Sequence, residues 1–537
     1  MRYLAVLAAL FMSLGTAFGE EGKTLQLTGR YRQGEEVLEK KLEWEASKTA
    51  VIICDMWDQH WCASATRRCG EIAPRINELV SAVRAKGGLV VHAPSDTMKT
   101  YEGTAGRKLA MSAPAAPSAN PIGKWRYLQP EKEGKLPIDD SDGGCDDEPQ
   151  CKNYRAWKGE HPAIKIVEGD AISDSGQEIY NLLKQRGISH LIMCGVHTNM
   201  CVLGRSFGIR EMVSDGFDVV LVRDLTDTMY NPRKAPLVPH ARGTDLVIAH
   251  VERNWCPSIL SSDILGDKKP LHVVMALDEP EYHAKETMPE FAKSELEPLG
   301  LKVTILKSED VKNLPGTEAI ASADVLVLFM RRTTLPEEQF KRFKEYFDGG
   351  RPVVAVRTGS HAFENWLEID KKVLGVTYGK HYSNKEEIDV SPNAKMLEHP
   401  ILRGVTPLEF HSVASLYKLS PLMESARPLL FGKSKDNPVE SVAVINTYNG
   451  GRAFYLALGH PEDFKIPQFR KLLSNGVLWA LDRPIGKVEK TARAGVELPE
   501  AVRTAKGLDS VVETLHAPMR NSSALPALEE MSKFKLA

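Results

Sequence analysis

The stretch Leu191-Ile-Met-Cys194-Gly-Val-His-Thr-Asn-Met-Cys201-Val202 decides the reading of the first half of the chain. A short apolar run ends at Cys194, a turn containing glycine follows, and Cys201 opens an amphipathic stretch over 201–212, the pattern of a strand feeding a helix. Working outward, apolar strands are expected at 49–54, 88–92, 190–194, 218–222 and 246–250, with helices at 73–86 and 176–187. That alternation predicts a parallel sheet covered on both faces. A second series begins after Gly266-Asp-Lys-Lys-Pro270, with strands near 271–276, 302–306, 324–329, 352–356, 441–446 and 452–457 and helices near 285–298, 335–347 and 467–481. The expected fold class is therefore α/β: two three-layer α/β/α domains, each with a mostly parallel sheet, over 20–265 and 266–486. Residues 487–537 show no strand pattern and are expected to be a peripheral C-terminal tail.

The 537 residues exceed one compact core. With 42% hydrophobic and 26% charged residues, the composition excludes collagen, coiled coil and disordered classes. A net charge of −2 gives no field that would favour nucleic acid. Arg2, the apolar run Leu4 to Phe18 and the close on Ala17-Phe18-Gly19 read as a signal peptide over 1–19, too short to span a bilayer. Export to the periplasm or the extracellular space is expected, with no membrane anchor. All eight cysteines lie at or before Cys256, which supports two modules. In an exported protein the close pairs Cys62/Cys69 and Cys145/Cys151 are candidate disulfides.

Three residues fall where an open α/β sheet builds its site. Asp55 follows the strand 49–54, Cys201 follows the strand 190–194, and Lys165 lies in Pro162-Ala-Ile-Lys-Ile-Val167, expected to be a strand. A free thiol is mostly protonated at neutral pH, and a helix N-terminus and an ammonium both favour the thiolate. Asp55 would take the proton, Lys165 would hold both anions, and the N–H groups of His197 and Cys201 would face an oxyanion. Each residue has a plainer reading as well: Cys201 as a packed small side chain, Asp55 as a strand-end cap, Lys165 as a chain reaching for solvent.

The segments Val51-Ile-Ile-Cys-Asp55-Met-Trp57, Ala163-Ile-Lys165-Ile and Cys194-Gly-Val-His-Thr-Asn-Met-Cys201-Val resemble the isochorismatase-like cysteine hydrolases over about residues 45 to 260. The resemblance implies a catalytic triad of Asp55, Lys165 and Cys201 and a cis peptide between Val196 and His197. With the cysteine present it also implies cleavage of an amide or carbamoyl C–N bond through a thioester. Trp57 stands where the family has Gln, and Asn199 where Asp is common. The metal-binding Asp and His residues of nicotinamidases are matched at best by Asp96, so no metal and no cofactor are expected. Asp58 and His60 alone do not make a zinc site. Lys108 competes with Lys165 for the triad position.

Asp324-Val-Leu-Val-Leu-Phe-Met330, the run from Gly349 through Arg357-Thr-Gly-Ser360-His361 to Phe363, and the run from Gly451 to Gly459-His460-Pro461 resemble the ThuA-like, trehalose-utilisation family. That implies a fold like class I glutamine amidotransferases, but the second module has no cysteine, so glutaminase chemistry is excluded. Glu281, His283, Arg357, Ser360, His361 and His460 are expected to line a polar pocket, with Tyr282 and Trp366 suited to stacking on a sugar. The expected protein is an exported cysteine hydrolase of a small amide or glycan-derived substrate. The alternatives are a noncatalytic envelope binding protein and a carbohydrate-active enzyme with its site in the second domain. A homo-oligomer is compatible with either.

Overall fold

The structure is a computed structural model describing residues 23–118, 121–308, 312–383 and 387–486. The expected signal peptide and C-terminal tail lie outside the described residues. The first domain opens with a hairpin of β1 (Thr24–Gln33) and β2 (Glu36–Glu45), followed by β3 (Thr49–Cys54), α1 (Ala63–Ala85), β4 (Leu89–Ala93), α2 (Ala105–Ser112), α3 (Pro130–Glu133), β5 (Ala171–Ile172), α4 (Gly176–Gln185), β6 (His190–Val196), α5 (Ile209–Ser214), β7 (Asp218–Asp227), α6 (His240–Asn254), β8 (Ser258–Ile259) and α7 (Ser262–Leu265). The sheet runs β2-β1-β8-β7-β6-β3-β4-β5. All pairings from β8 to β5 are parallel, and β1 is antiparallel to both neighbours.

Every residue of β3 is buried, as a central parallel strand requires. The hairpin was not expected. Its apolar positions Leu25, Leu27, Val37 and Trp44 are spread among charged residues, the composition of a half-exposed sheet edge. The strand expected at 246–250 is instead the middle of α6. Its buried residues Gly243, Thr244, Val247, Ile248 and Val251 follow helical spacing, which a short apolar run conceals. Nor is 163–167 a strand; β5 begins only at Ala171.

The long segment between β4 and β5 is tied down by Glu133 at the end of α3. Its fully buried carboxylate accepts from Arg210 (2.8 and 2.9 Å), His250 (2.9 Å), Trp255 (2.9 Å) and the Gln129 N–H (2.9 Å). Burial would raise its pKa, but Arg210 and the other donors hold it at about 2. A depressed carboxylate stabilises the fold above its unfolded pKa of about 4.3 and loses that contribution as pH falls toward the folded value. Urea titrations between pH 6 and 2.5 should show this component in the wild type and not in Glu133→Gln. The variant should also be less stable by about 3 kcal/mol at neutral pH, because Arg210 stays buried without its partner.

The second domain contains β9 (His272–Asp278), α8 (Ala284–Phe291), β10 (Lys302–Lys307), β11 (Val325–Met330), α9 (Glu337–Asp348), β12 (Val353–Val356), β13 (Ile388–Pro392), β14 (Phe410–Ser412), β15 (Arg427–Lys433), β16 (Glu440–Tyr448), β17 (Gly451–Leu456) and α10 (Pro467–Ala480). The order is β10-β9-β11-β12-β17-β16-β15-β13-β14. Pairings are parallel from β10 to β17 and antiparallel from β17 to β14, so this α/β sheet is evenly mixed rather than mostly parallel. Strands β13 to β15 are short and interrupted by Pro, Ser and Lys, which hides them from periodicity.

Both domains belong to one compact unit ending at Ile485. α7 ends at Leu265 and β9 begins at His272, so we place the domain boundary between them. Asp482, just past α10, bridges the domains. It pairs with Arg32, with Arg30 at 3.1 Å and with Arg452 at 2.7 Å. Asp482→Ala should lower the unfolding midpoint markedly in a thermal melt, since three guanidinium groups lose their common anion.

Candidate active site

Strand β3 lies between β4 and β6, all parallel, so the residues just past Cys54, Ala93 and Val196 emerge side by side. Gly195 has φ +105°, and a Cβ there would sit 2.1 Å from the Cys54 carbonyl oxygen. Only glycine lets β6 pass this close to the strand carrying Asp55. The Val196–His197 peptide is cis. Thr198–Val202 then forms one wide helical turn containing Cys201.

Asp55 is fully buried. Its Oδ1 accepts the Ser95 N–H at 2.8 Å and its Oδ2 accepts the Arg205 Nε–H at 2.9 Å. The buried Cys201 thiol lies near enough to the Asp55 carboxylate to feel its charge, and the His197 N–H lies near its sulfur. Burial raises the Asp55 pKa against the opposing pull of Arg205. Burial and the Asp55 charge push the Cys201 thiol up, again opposed by Arg205. Arg205 itself stays charged, because Asp55 outweighs the effect of its burial. Burial and Asp55 thus favour the neutral thiol, whereas the sequence suggested surroundings that would favour the thiolate.

Lys165 is not part of this group. It is exposed, and its Nζ donates to the Pro162 carbonyl at 2.8 Å. The strand that would have aimed it inward does not form; only Ile164 of that run is buried. Lys108 is exposed on α2. Arg205 is the cation that meets Asp55. Its N–H donates to the Cys201 carbonyl at 2.9 Å, one helical turn on, so a spacing of four residues from Cys201 was the available signal.

An aromatic wall adjoins the nucleophile. Trp57, in the position where Gln is usual, donates its indole N–H to the Ser95 carbonyl at 3.0 Å and stacks on Trp157 with centroids 4.3 Å apart. His60 lies 5.9 Å from Trp157 and meets His197 edge-on at 4.9 Å. Trp57 and Trp157 pack in the same apolar cluster as Cys201. Trp125 closes against Gly204, where a Cβ would come within 2.5 Å of the indole, and the Arg205 guanidinium lies 5.6 Å from its ring. Burial holds His60 at about 4 and His197 at about 3, so both are neutral. The Trp157 Nε1 and His197 Nε2 atoms are buried without a protein partner. Unpaired buried polar atoms facing a site are what a ligand's hydrogen-bonding groups would satisfy.

The wall is fixed from behind. Asp58 accepts the Lys158 N–H at 2.9 Å. Trp57 pairs with Glu160 in a short bridge, and the Glu160 carboxylate meets buried His92 at 2.6 Å, with Asp170 on the other ring nitrogen at 3.1 Å. Burial would lower the His92 pKa, but the two carboxylates hold it up to about 9. A histidine with a raised pKa contributes stability that is complete below about 6.5 and lost as pH rises through the folded value. Urea denaturation at pH 6.5 and pH 10 should show this loss, up to roughly 3 kcal/mol, in the wild type and not in His92→Gln. Asn199 is structural, bonding Asp140 at 2.8 Å and the Met229 backbone. Asp96 donates its N–H to Asp174 at 2.9 Å.

In the second domain, Arg357 follows β12 with φ +48° and is fully buried. It donates to the Ser415 and Ala457 carbonyls at 2.8 Å, and its guanidinium stacks 4.0 Å from the Tyr417 ring and 4.9 Å from Tyr282. His361 stacks on Tyr378 at 4.1 Å and bonds Ser360 Oγ at 3.1 Å; burial and Arg332 hold it neutral, at about 3. His460 lies edge-on to Tyr282 at 6.3 Å, with Nδ1 accepting the Glu462 N–H. Glu281 reaches only Arg331, at 3.0 Å, on the exposed rim. His283 turns to solvent and does not join the group, because its φ of +52° points it away ahead of α8. Trp366 packs in the core against Phe347 and Phe363. Tyr378 and Tyr417 complete the cluster. They lie in a part of the sequence without regular pattern and were not found there.

Residues 49–235 match the family described as Isochorismatase domain, and residues 273–480 match the family described as Trehalose utilisation, ThuA. The chain thus combines an isochorismatase-like and a ThuA-like domain. A ThuA-like protein from Parabacteroides merdae shares 19% identity, covering 41% of this chain and 94% of its own, with a TM-score of 0.34. A cysteine hydrolase from Pseudomonas syringae shares 16% identity over 42% of this chain and 93% of its own, with a TM-score of 0.27. A search of curated proteins found no match. Among the described residues no helix is long and apolar enough to cross a membrane.

Proposed function

We propose that the first domain is a cysteine hydrolase that cleaves an amide or carbamoyl C–N bond through a thioester on Cys201. The observation that carries this reading is the Asp55 carboxylate held between the Cys201 thiol and the Arg205 guanidinium. As sulfur attacks the carbonyl carbon, the thiol proton passes to Asp55, whose raised pKa makes it a stronger base than an ordinary carboxylate. The His197 and Cys201 N–H groups face the oxyanion. Collapse breaks the C–N bond, and the leaving amine takes the proton from Asp55. Water then attacks the thioester, giving its proton to Asp55, and the acid is released as the proton returns to sulfur. Arg205 stays charged and holds Asp55 in place.

The neutral aromatic wall favours a flat substrate that hydrogen-bonds to Trp157 and His197. We read the second domain as the ligand-binding partner, and the chain as an exported protein. Ammonia release across a panel of amides and carbamoyl compounds, with the thioester trapped on the Cys201 peptide by mass spectrometry, tests the assignment. A panel without turnover and without acylation of Cys201 counts against it. The cluster of Arg357, His361, Tyr378 and Tyr417 favours one second reading, carbohydrate chemistry in the ThuA-like domain. Activity that survives Cys201→Ala and is lost in His361→Ala would establish that reading instead.

A further inference from the structure

The start of α1 and the loop 139–151 bring together a group that the proposed reaction does not use. Cys62, which caps α1, and Cys145 are buried, and Cys151 is half-buried. Their sulfurs lie 3.3, 3.5 and 3.1 Å from one oxygen, Asp147 Oδ2. The ligand atoms of Cys62, Cys145 and Asp147 all fall within 4.8 Å of one another. The Ser64 N–H reaches the same oxygen at 3.1 Å. A carboxylate oxygen has two lone pairs, so four donors cannot all be served while the thiols keep their protons. With the thiols ionised, three thiolates and a carboxylate repel one another in a mostly buried space. A cation at their centre removes both difficulties.

We propose that Cys62, Cys145 and Asp147 hold a thiophilic divalent cation, zinc by preference, with Cys151, whose sulfur already meets the Asp147 carboxylate, closing in as the fourth ligand. Three sulfur ligands and one oxygen suit a borderline-soft ion and disfavour Mg²⁺ and Ca²⁺. Binding releases three thiol protons to solvent and changes no oxidation state. The surroundings are those of a metal-thiolate centre. The N–H groups of Ser64 and Ala65 in the first turn of α1 point at Asp147 and Cys62, and the Ser64 hydroxyl bonds Asp147 Oδ1 at 2.5 Å. Arg233 donates to the Asp147 carbonyl at 3.1 Å. All four positions come from protein, which makes the site structural. Trp61 and Met200, the residue before Cys201, pack on this cluster, so the ion would clamp the loop to the pocket wall. The bridge Cys62/Cys69 expected from sequence is not formed: Cys69 faces the core from inside α1, 3.7 Å from Met56 Sδ.

The test uses the full chain, supplied with Zn²⁺ and desalted, with metal content measured by mass spectrometry. One zinc per chain is expected in the wild type and in Cys69→Ser, and none in Cys145→Ser or Cys151→Ser. Should those variants fail to fold, the wild type alone decides. Chelation should then lower its melting temperature and expose Cys62, Cys145 and Cys151 to maleimide, all three being protected when zinc is restored. A wild type that retains no zinc overturns the proposal. So does a disulfide among these three cysteines in peptides mapped without reductant.

Discussion

Arg205→Ala is expected to damage the first domain severely, while Lys165→Ala leaves it at wild-type stability and activity. In the wild type the Asp55 carboxylate has no solvent exposure, and Arg205 is its only cationic partner among the described residues. Removing one member of a buried ion pair costs about 3 to 5 kcal/mol, because the remaining charge is left unpaired. Asp55 can reduce that loss by taking up a proton, since burial already raises its pKa and Arg205 is what opposes the rise. The destabilisation should therefore be smaller at pH 5 than at pH 8. Turnover should fall at both, because a protonated Asp55 cannot accept the thiol proton. Arg205→Lys keeps the charge but loses the guanidinium fork and its contact with Trp125, and is expected to recover stability in part. The exposed Lys165 side chain donates to the Pro162 carbonyl, and its other bonds are made by backbone atoms that alanine keeps, so its loss should lie within about 0.5 kcal/mol of neutral. Urea denaturation and ammonia release on the three variants decide between the two cations.

The second large effect is on chemistry alone. Cys201→Ser keeps the shape of the site but replaces the thiol with a hydroxyl that Asp55 cannot deprotonate to any useful extent. Turnover should fall by at least about 10⁴-fold, with the residual rate reflecting binding and the oxyanion donors. Substrate affinity and folding should change little, because Asp55 keeps its bonds to Ser95 and Arg205. Steady-state kinetics with calorimetric binding to the same variant separates a lost nucleophile from a collapsed pocket.

Much of this was legible in the residues. Asp55 directly follows β3 and Cys201 lies in the turn after β6, strands buried throughout except at His190, whose apolar runs are the clearest pattern in the chain. The cis bond before His197 lies where the resemblance implies it. Lys165 misled because a lysine between apolar residues reads as strand, whereas here Ile166 and Val167 are exposed with it, only Ile164 turns inward, and the lysine needs no buried partner. Arg205 was passed over because its role depends on the helical turn after Cys201, which only backbone geometry reveals. The same holds for the aromatic wall: Trp57 and Trp157 are a hundred residues apart and meet only through the loop anchored by Asp58, Glu160 and His92. The convergence of Cys62, Cys145 and Cys151 is likewise a product of loop packing, where spacing suggested sequential pairs.

The central claim is that Cys201 and Asp55 titrate as one unit. Alkylation rates of Cys201 by iodoacetamide against pH, read by peptide mass spectrometry in the wild type and in Asp55→Asn, test it most directly. Burial and the Asp55 charge should place the wild-type midpoint above the ~8.5 of a free thiol. Asp55→Asn, which removes the negative charge and leaves Arg205 facing the sulfur, should move the midpoint down by about a unit or more. A midpoint near that of a free thiol, unchanged by the substitution, would contradict the account.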